Sequence, residues 1–199
     1  MSTIELIAVI CGFLCVFFTI RENIWCWPTG LVQVSLYVYV FFEAKLYSDV
    51  ILHIIYIFMN IYGWYFWLHG GRQKQEAKVT ALADRWLAGT VFGSTIAMLL
   101  LGYLMASRTD ASFPYGDAFT TTFSLSAQWL MSRKKLESWH FWIAVDVVAI
   151  YIYAVKGLHL TAGLYTAFLI MAVIGLQKWK QSMQQNPAVI EDPALEPAV

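Results

Sequence analysis

The stretch WLAGTVFGSTIAMLLLGYLMA, residues 86–106, indicates the fold class, because it contains no charged side chain. A helix needs about 20 mostly apolar residues to cross the hydrocarbon core of a bilayer. The whole chain around this stretch is unusually apolar, with 59% hydrophobic and only 13% charged residues among 199. Soluble proteins carry about 25% charged residues, so this composition excludes a soluble enzyme, a disulfide-rich secreted domain and a disordered chain. The 13 basic and 13 acidic residues balance, which gives no indication of nucleic-acid binding.

Six further apolar segments flank residues 86–106, and they are continuous rather than alternating, which predicts helices and not a β-barrel. The sequence therefore predicts an all-α membrane protein with seven transmembrane helices. The final stretch, residues 182–199, contains three prolines and no periodicity, and it is predicted to be a disordered cytoplasmic tail. The seven predicted helices span residues 4–20, 27–42, 50–68, 86–106, 115–131, 139–155 and 160–179.

The positions of the basic residues predict the orientation, since lysine and arginine concentrate in the cytoplasmic loops of membrane proteins. With seven crossings, ten of the 13 basic residues fall on one side of the membrane. This bias predicts an external N-terminus and a cytoplasmic C-terminus. The ten residues are Arg21, Arg72, Lys74, Lys78, Arg85, Arg133, Lys134, Lys135, Lys178 and Lys180.

An internal repeat appears when the segments that begin near residues 23 and 137 are compared. Trp25 aligns with Trp139 at an offset of 114, and two tyrosine pairs further along follow at the same offset. Gly63 then aligns with Gly175 at an offset of 112, as do two later tryptophans. The loss of two residues from a loop of the second repeat would account for the change.

This repeat predicts a 3+1+3 arrangement, in which residues 4–68 and 115–179 form two three-helix repeats and residues 86–106 form a linker helix. Three crossings invert the chain, so one extra helix is needed to give both repeats the same orientation. Parallel repeats of this kind are related by an axis along the membrane normal and hold their substrate between them. Small residues at four-residue spacing predict close packing of the linker on a neighbouring helix, and the alternative is that they are merely residues common in membrane helices. They are Gly89, Gly93 and Ala97.

Polar and aromatic side chains share one face on each of four predicted helices. A polar group inside a membrane is costly unless it has a partner or a function. Such mixed stripes are typical of faces that line a cavity, although hydrogen bonds between helices are an alternative role for the amides. The candidate residues are Gln33 and Tyr37; Asn60 and Trp64; Thr121, Ser124 and Gln128; and Trp139, Trp142, Asp146 and Tyr153.

Asp146 is the one carboxylate deep inside a predicted span, which makes it a candidate partner for a cationic ligand or for a proton. A helix-packing hydrogen bond, or a pair with Lys156 or a tyrosine, is the alternative. An intramembrane enzyme that uses Asp146 with His140 is disfavoured, because residues six positions apart do not share a helix face. No metal-ligand spacing and no nucleotide-binding motif is present, so the sequence predicts no metal, no cofactor and no enzymatic activity.

Four stretches resemble the PnuC family of bacterial nicotinamide riboside transporters, and the likeness extends over nearly all of residues 4–179. The resemblance implies a facilitator that is related in fold to the SWEET sugar transporters and that assembles as a homotrimer. It also implies a cytoplasmic kinase that traps the imported riboside by phosphorylation. The stretches are WPTGLVQ from Trp27, NIYGWYFW from Asn60, the run from Thr121 through SLSAQWLMSRKKLESWHFW to Trp142, and GLHLTAGLYTAF from Gly157.

The resemblance further implies that the candidate side chains contact nicotinamide riboside, which combines a pyridinium cation, a carboxamide and a ribose. Aromatic faces suit the cation, amides suit the carboxamide, and hydroxyl groups suit the ribose. A phosphorylated substrate would find Asp146 and no inward basic residue, so rejection of the mononucleotide is expected. A SWEET-like carrier of a sugar or another vitamin precursor is the alternative. The implied assignments are Trp64, Trp142 and Tyr151 or Tyr153 for the cation, Gln128 and Asn60 for the carboxamide, Thr121, Ser124 and the tyrosines for the ribose, and Trp139 as a further contact.

Overall fold

The structure, a computed structural model, describes residues 3–43, 45, 47–71, 75–110 and 112–185. These residues form seven α-helices and one isolated parallel β-bridge, between Thr80 and Lys135, and they form no strand. The prediction of an all-α chain with seven helices is confirmed. The helices are α1 (Thr3–Ile20), α2 (Cys26–Glu43), α3 (Tyr47–His69), α4 (Asp84–Arg108), α5 (Pro114–Ser132), α6 (Ser138–Val155) and α7 (His159–Gln185).

Five of these helices are long and apolar enough to cross a membrane, namely α1, α3 from Asp49 onward, α4, α6 and α7. Helix α7 continues to Gln185, so residues 182–185 of the predicted tail are helical. The remainder of that tail, residues 186–199, lies outside the described residues, as do Arg72 and Lys74 of the orientation argument.

The contacts divide the chain into two compact units. The first contains α1, α2 and α3 together with Ser132–Lys134, and the second contains α4, α5, α6 and α7. Within the first unit α2 packs against both α1 and α3, and within the second α6 packs against α7.

In the first unit a tryptophan that lies on a glycine brings α2 and α3 together. The indole of Trp27 lies so close to Gly63 that a Cβ on this glycine would collide with atoms of the ring. The same indole meets Trp67 edge to face, with a centroid separation of 5.3 Å. Glycine removes the side chain that would otherwise hold the two backbones apart, and the edge-to-face pair adds a specific attraction.

The second unit repeats this contact between α6 and α7. Trp139 covers Gly175 and meets Trp179 edge to face at 5.4 Å. Each of these three residues follows its counterpart in the first unit at an offset of 112. The first and last residues of α2 and α6 are related by the same offset, and so are the first residues of α3 and α7.

The predicted offset of 114 between Trp25 and Trp139 is therefore wrong, and no residue has been lost from a loop. Trp27 takes the position that matches Trp139, whereas Trp25 is 61% exposed. Trp25 and Trp27 both lie at the start of the same apolar segment, and their positions along the chain do not reveal which ring is buried.

The turns between the helices repeat at the same spacing. Glu22 and Lys134 have positive φ values of 53° and 55°, and Lys45 and Gly157 have values of 59° and 72°. After Glu22, Lys134 and Gly157, the next backbone N–H donates to the carbonyl five residues earlier. This is the Schellman end of an α-helix, in which the left-handed position favours glycine.

The small-residue stripe of α4 does not pack as predicted. Among the described residues no atom lies within 4 Å of a Cβ built on Gly89 or on Gly93. A hydrogen bond between the hydroxyl groups of Ser94 and Ser126, 2.7 Å long, joins α4 to α5 instead.

We expect Gly175→Ala to lower the melting temperature of the purified protein, because the new methyl group collides with Trp139. Overpacking of this kind destabilises a protein by about 1–3 kcal/mol. The matched control is Gly163→Ala in the same helix, where no described atom lies within 4 Å of the added Cβ. Thermal unfolding in detergent measures both variants, and equal melting temperatures would contradict the role assigned to the tryptophan contact.

Candidate functional site

Asn60 lies buried where the three helices of the first unit meet. Its Nδ2 donates to the carbonyl of Tyr56, one turn earlier in α3, at 2.8 Å. Its Oδ1 lies over Gly30 of α2, only 2.6 Å from where a Cβ would be, and the thiol of Cys15 in α1 borders the same glycine. The amide therefore fills the space that Gly30 leaves open.

The other candidates of the first unit lie on α2 and α3. The amide of Gln33 lies over Gly12 of α1, with Nε2 2.8 Å from where a Cβ would be. Tyr37 stacks on Phe41 at a centroid distance of 5.5 Å. Trp64 follows Asn60 by one turn on α3 and is exposed in this chain.

In the second unit the hydroxyl groups of the α5 candidates donate to the backbone of their own helix. The hydroxyl of Thr121 donates to the carbonyl of Asp117 at 2.9 Å, and that of Ser124 donates to the carbonyl of Thr121 at 3.0 Å. Gln128, one turn further along, is half-buried. Because both hydroxyl hydrogens are already donated to the backbone, a ligand would have to donate to the two oxygens.

Asp146 is 5% exposed on α6. Among the described residues, no cation lies within ion-pair distance of its carboxylate and no hydrogen bond reaches it. Lys156, the alternative partner considered above, instead pairs with Asp117 at 3.8 Å. A buried carboxylate without a partner carries a large desolvation penalty, so this position favours either a bound cation or a proton.

The aromatic candidates of α6 divide between two sides of the helix. Trp142 packs against a buried cluster that includes Ala127 and Leu130, and Tyr153 stacks on Tyr165 of α7 at 5.3 Å. Both lie on the same side as Asp146. Tyr151 is 64% exposed. Tyr151 follows Asp146 by five residues, which corresponds to a rotation of about 140° around an α-helix. It therefore lies on the side of the helix away from Asp146.

Trp139 is almost completely buried by its contact with Gly175 and Trp179. Its indole Nε1 has no hydrogen-bond acceptor among the described residues, and the same is true of the matching Trp27. The Trp139 ring thus has a packing role, and only its N–H is available to another molecule.

A buried polar cluster lies at the α5–α6 turn, and sequence reasoning did not predict it. The ammonium of Lys134 lies 3.1 Å from the carboxylate of Glu22, donates to the carbonyl of Ala77 at 2.9 Å, and lies 4.6 Å from the centre of the Trp67 ring. This lysine was used only in the orientation argument, and its burial was not predicted. The sequence feature that could have indicated this burial is the short turn, which has only five residues between two apolar helices.

The next two charged residues of this turn are buried in the second unit. The ammonium of Lys135 donates to the hydroxyl of Thr80 at 2.9 Å. The carboxylate of Glu137 accepts the backbone N–H of Leu82, also at 2.9 Å. The segment before α4 is therefore bonded to the α5–α6 turn through side chains as well as through the isolated β-bridge.

Residues 2–181 match the model of the nicotinamide mononucleotide transporter family. The nicotinamide riboside transporter PnuC of Escherichia coli K12 is 28% identical, over 94% of this chain and 88% of that protein. PnuC of Neisseria mucosa is 29% identical, over 93% of this chain and 74% of that protein. The riboflavin/roseoflavin transporter RibM of Streptomyces davaonensis is 21% identical, over 94% and 89% respectively.

One solved structure has the same fold. The crystal structure of the vitamin B3 transporter PnuC superposes with a TM-score of 0.73 at 27% identity, and the match covers 92% of this chain and 83% of that one. Since the family model matches nearly the whole chain, this protein belongs to the nicotinamide mononucleotide transporter family, and it is a multi-pass membrane transporter of the PnuC type.

Proposed function

We propose that this protein carries nicotinamide riboside across the bacterial inner membrane by facilitated diffusion with alternating access, and that a cytoplasmic kinase traps the imported riboside. The observation that carries the proposal is the buried carboxylate of Asp146, which has no cationic partner among the described residues. The pyridinium ring of nicotinamide riboside supplies the missing positive charge. PnuC proteins from two organisms, named as nicotinamide riboside transporters, support the same substrate.

The groups that share the side of α6 with Asp146 form the core of the proposed site. Trp142 and Tyr153 offer aromatic faces to the cation, which is worth about 0.5–2 kcal/mol for each face. Gln128 is proposed to bind the carboxamide. The hydroxyl oxygens of α5 accept from the ribose. Further proposed contacts are Gln33, Tyr37, Asn60 and Trp64, and Trp139 through its Nε1.

The 3+1+3 arrangement, the external N-terminus and the homotrimer are parts of the same proposal. Helix bounds and aromatic contacts that recur at one constant offset support two equivalent three-helix repeats. Helix α4 between them adds one crossing and so gives both repeats the same orientation. The trimer and the kinase rest on the family resemblance.

Riboflavin is a second candidate substrate, because RibM is similar to this chain over nearly its whole length. The isoalloxazine ring of riboflavin is uncharged, as are sugars, so these substrates leave Asp146 without a partner. The buried carboxylate therefore favours the cationic riboside.

We expect purified protein in proteoliposomes to equilibrate labelled nicotinamide riboside across the membrane without accumulating it. With a riboside kinase and ATP enclosed, the label should accumulate, because phosphorylation removes the substrate from the equilibrium. Empty liposomes with the enclosed kinase are the control. The absence of saturable uptake in both conditions would contradict the substrate.

Asp146→Asn should raise the KM for nicotinamide riboside by about tenfold or more, because the bound cation loses its counter-charge. Reduced nicotinamide riboside has nearly the same shape but no charge, so its transport should change much less. Asp117→Asn, which alters a partly exposed carboxylate in the first turn of α5, is the matched control. Equal losses for both ribosides would argue against a charge-specific role.

Nicotinamide mononucleotide should be transported far more slowly than the riboside, because its phosphate adds negative charge close to Asp146. Counterflow with the riboside preloaded inside the vesicles measures both substrates in one preparation. Equal rates for the two substrates would refute the proposed charge selection.

A further inference from the structure

One ion pair joins two turns that occupy equivalent places in the repeated sequence. Glu22 follows α1 and Lys134 follows α5, and the two positions are related by the same offset as the repeated helices. The Lys134 ammonium lies 3.1 Å from a Glu22 carboxylate oxygen, with side-chain exposures of 8% and 24%. The pair is therefore largely shielded from water. A shielded ion pair is stronger than one at a surface.

The same ammonium also binds the end of α3 and the segment that follows it. It donates to the carbonyl of Ala77 at 2.9 Å and faces the ring of Trp67 at 4.6 Å. The ion pair and the contact with the ring depend on the positive charge of Lys134, and this charge also strengthens the hydrogen bond to the carbonyl. This single side chain thus holds the α5–α6 turn against the α1–α2 turn and against the end of α3.

The backbone shows that the two turns do not need these side chains. Glu22 and Lys134 both adopt the left-handed conformation, with φ values of 53° and 55°. Glycine adopts this conformation without strain, and Gly157 occupies the corresponding position after α6. A charged residue at both positions is explained by the ion pair and not by the turn.

We propose that the Glu22–Lys134 pair is a latch that holds the two equivalent turns together and closes this end of the transport path. Release of substrate on this side then requires the ion pair to separate. The inference rests on the proposed alternating access, in which one end of the path is closed while the other is open. The predicted orientation puts both turns on the cytoplasmic side.

The native residue Cys26 can be used to measure opening of the latch by chemical labelling. It begins α2, one turn after Glu22, and is only 2% exposed. Its reaction rate with a membrane-impermeant maleimide measures opening of this end without any substrate. Identification of the labelled peptide by mass separates Cys26 from the two cysteines of α1. The reagent is applied to vesicles whose cytoplasmic face is outward.

Glu22→Gln and Lys134→Met should each raise the labelling rate of Cys26 about tenfold, the effect of losing one coupled charge pair. Both variants should also raise the KM for external nicotinamide riboside, because fewer molecules face outward. The charge swap Glu22→Lys with Lys134→Glu should return the labelling rate toward that of the wild type. Lys156→Met, which breaks a more exposed pair with Asp117, is the matched control and should change neither quantity.

Glu22→Gly separates the turn from the latch. Glycine adopts the left-handed conformation of position 22 without strain, so the melting temperature should be maintained while the labelling rate of Cys26 still rises. Unchanged labelling in Glu22→Gly and Glu22→Gln would overturn the latch, and so would a charge swap that labels as fast as the single variants. Wild-type protein that shows the expected labelling pattern but no riboside transport would contradict the substrate and leave the latch intact.

Discussion

The lack of hydrogen-bond partners in a lipid environment is the constraint on which the rest of this structure depends. Backbone groups satisfy it by forming helices, and hydroxyl groups satisfy it by donating to carbonyls of their own helix, as Thr90, Ser94 and Thr95 do in α4. Against this background the few polar groups without such local partners stand out. Asp146 and the indole N–H groups of Trp27 and Trp139 are examples among the described residues.

The two sets of helices that recur at an offset of 112 share one tryptophan–glycine contact and differ in the residues beside it. Tryptophan on glycine sets the contact between the second and third helix of each set. Near this contact, Gly30 of the first set corresponds to Trp142 of the second at the offset of 112, and Asn60 corresponds to Ala172. In the first pair the larger residue is a polar amide on α3 that lies over the glycine, whereas in the second pair the larger residue is an aromatic ring on α6.

The same contrast applies to the turns. Glu22 and Lys134 have the same backbone conformation and equivalent places, yet they carry opposite charges and bind each other. Equivalent residues of identical charge would repel. The opposite charges at these two equivalent positions therefore allow the two turns to form an ion pair.

Local patterns along the chain were sufficient to define the membrane class, the seven helices and their ends to within three residues for α1 to α6, because hydrophobic length and turn residues act locally. They also revealed the PnuC resemblance and the residues with unusual polarity. The folded structure was needed to show which of Trp25 and Trp27 is buried, that Tyr151 lies away from Asp146, and that Lys134 is buried in an ion pair with Glu22. These facts depend on which side chains meet across helices, and linear spacing carries no information about a partner in a distant part of the chain.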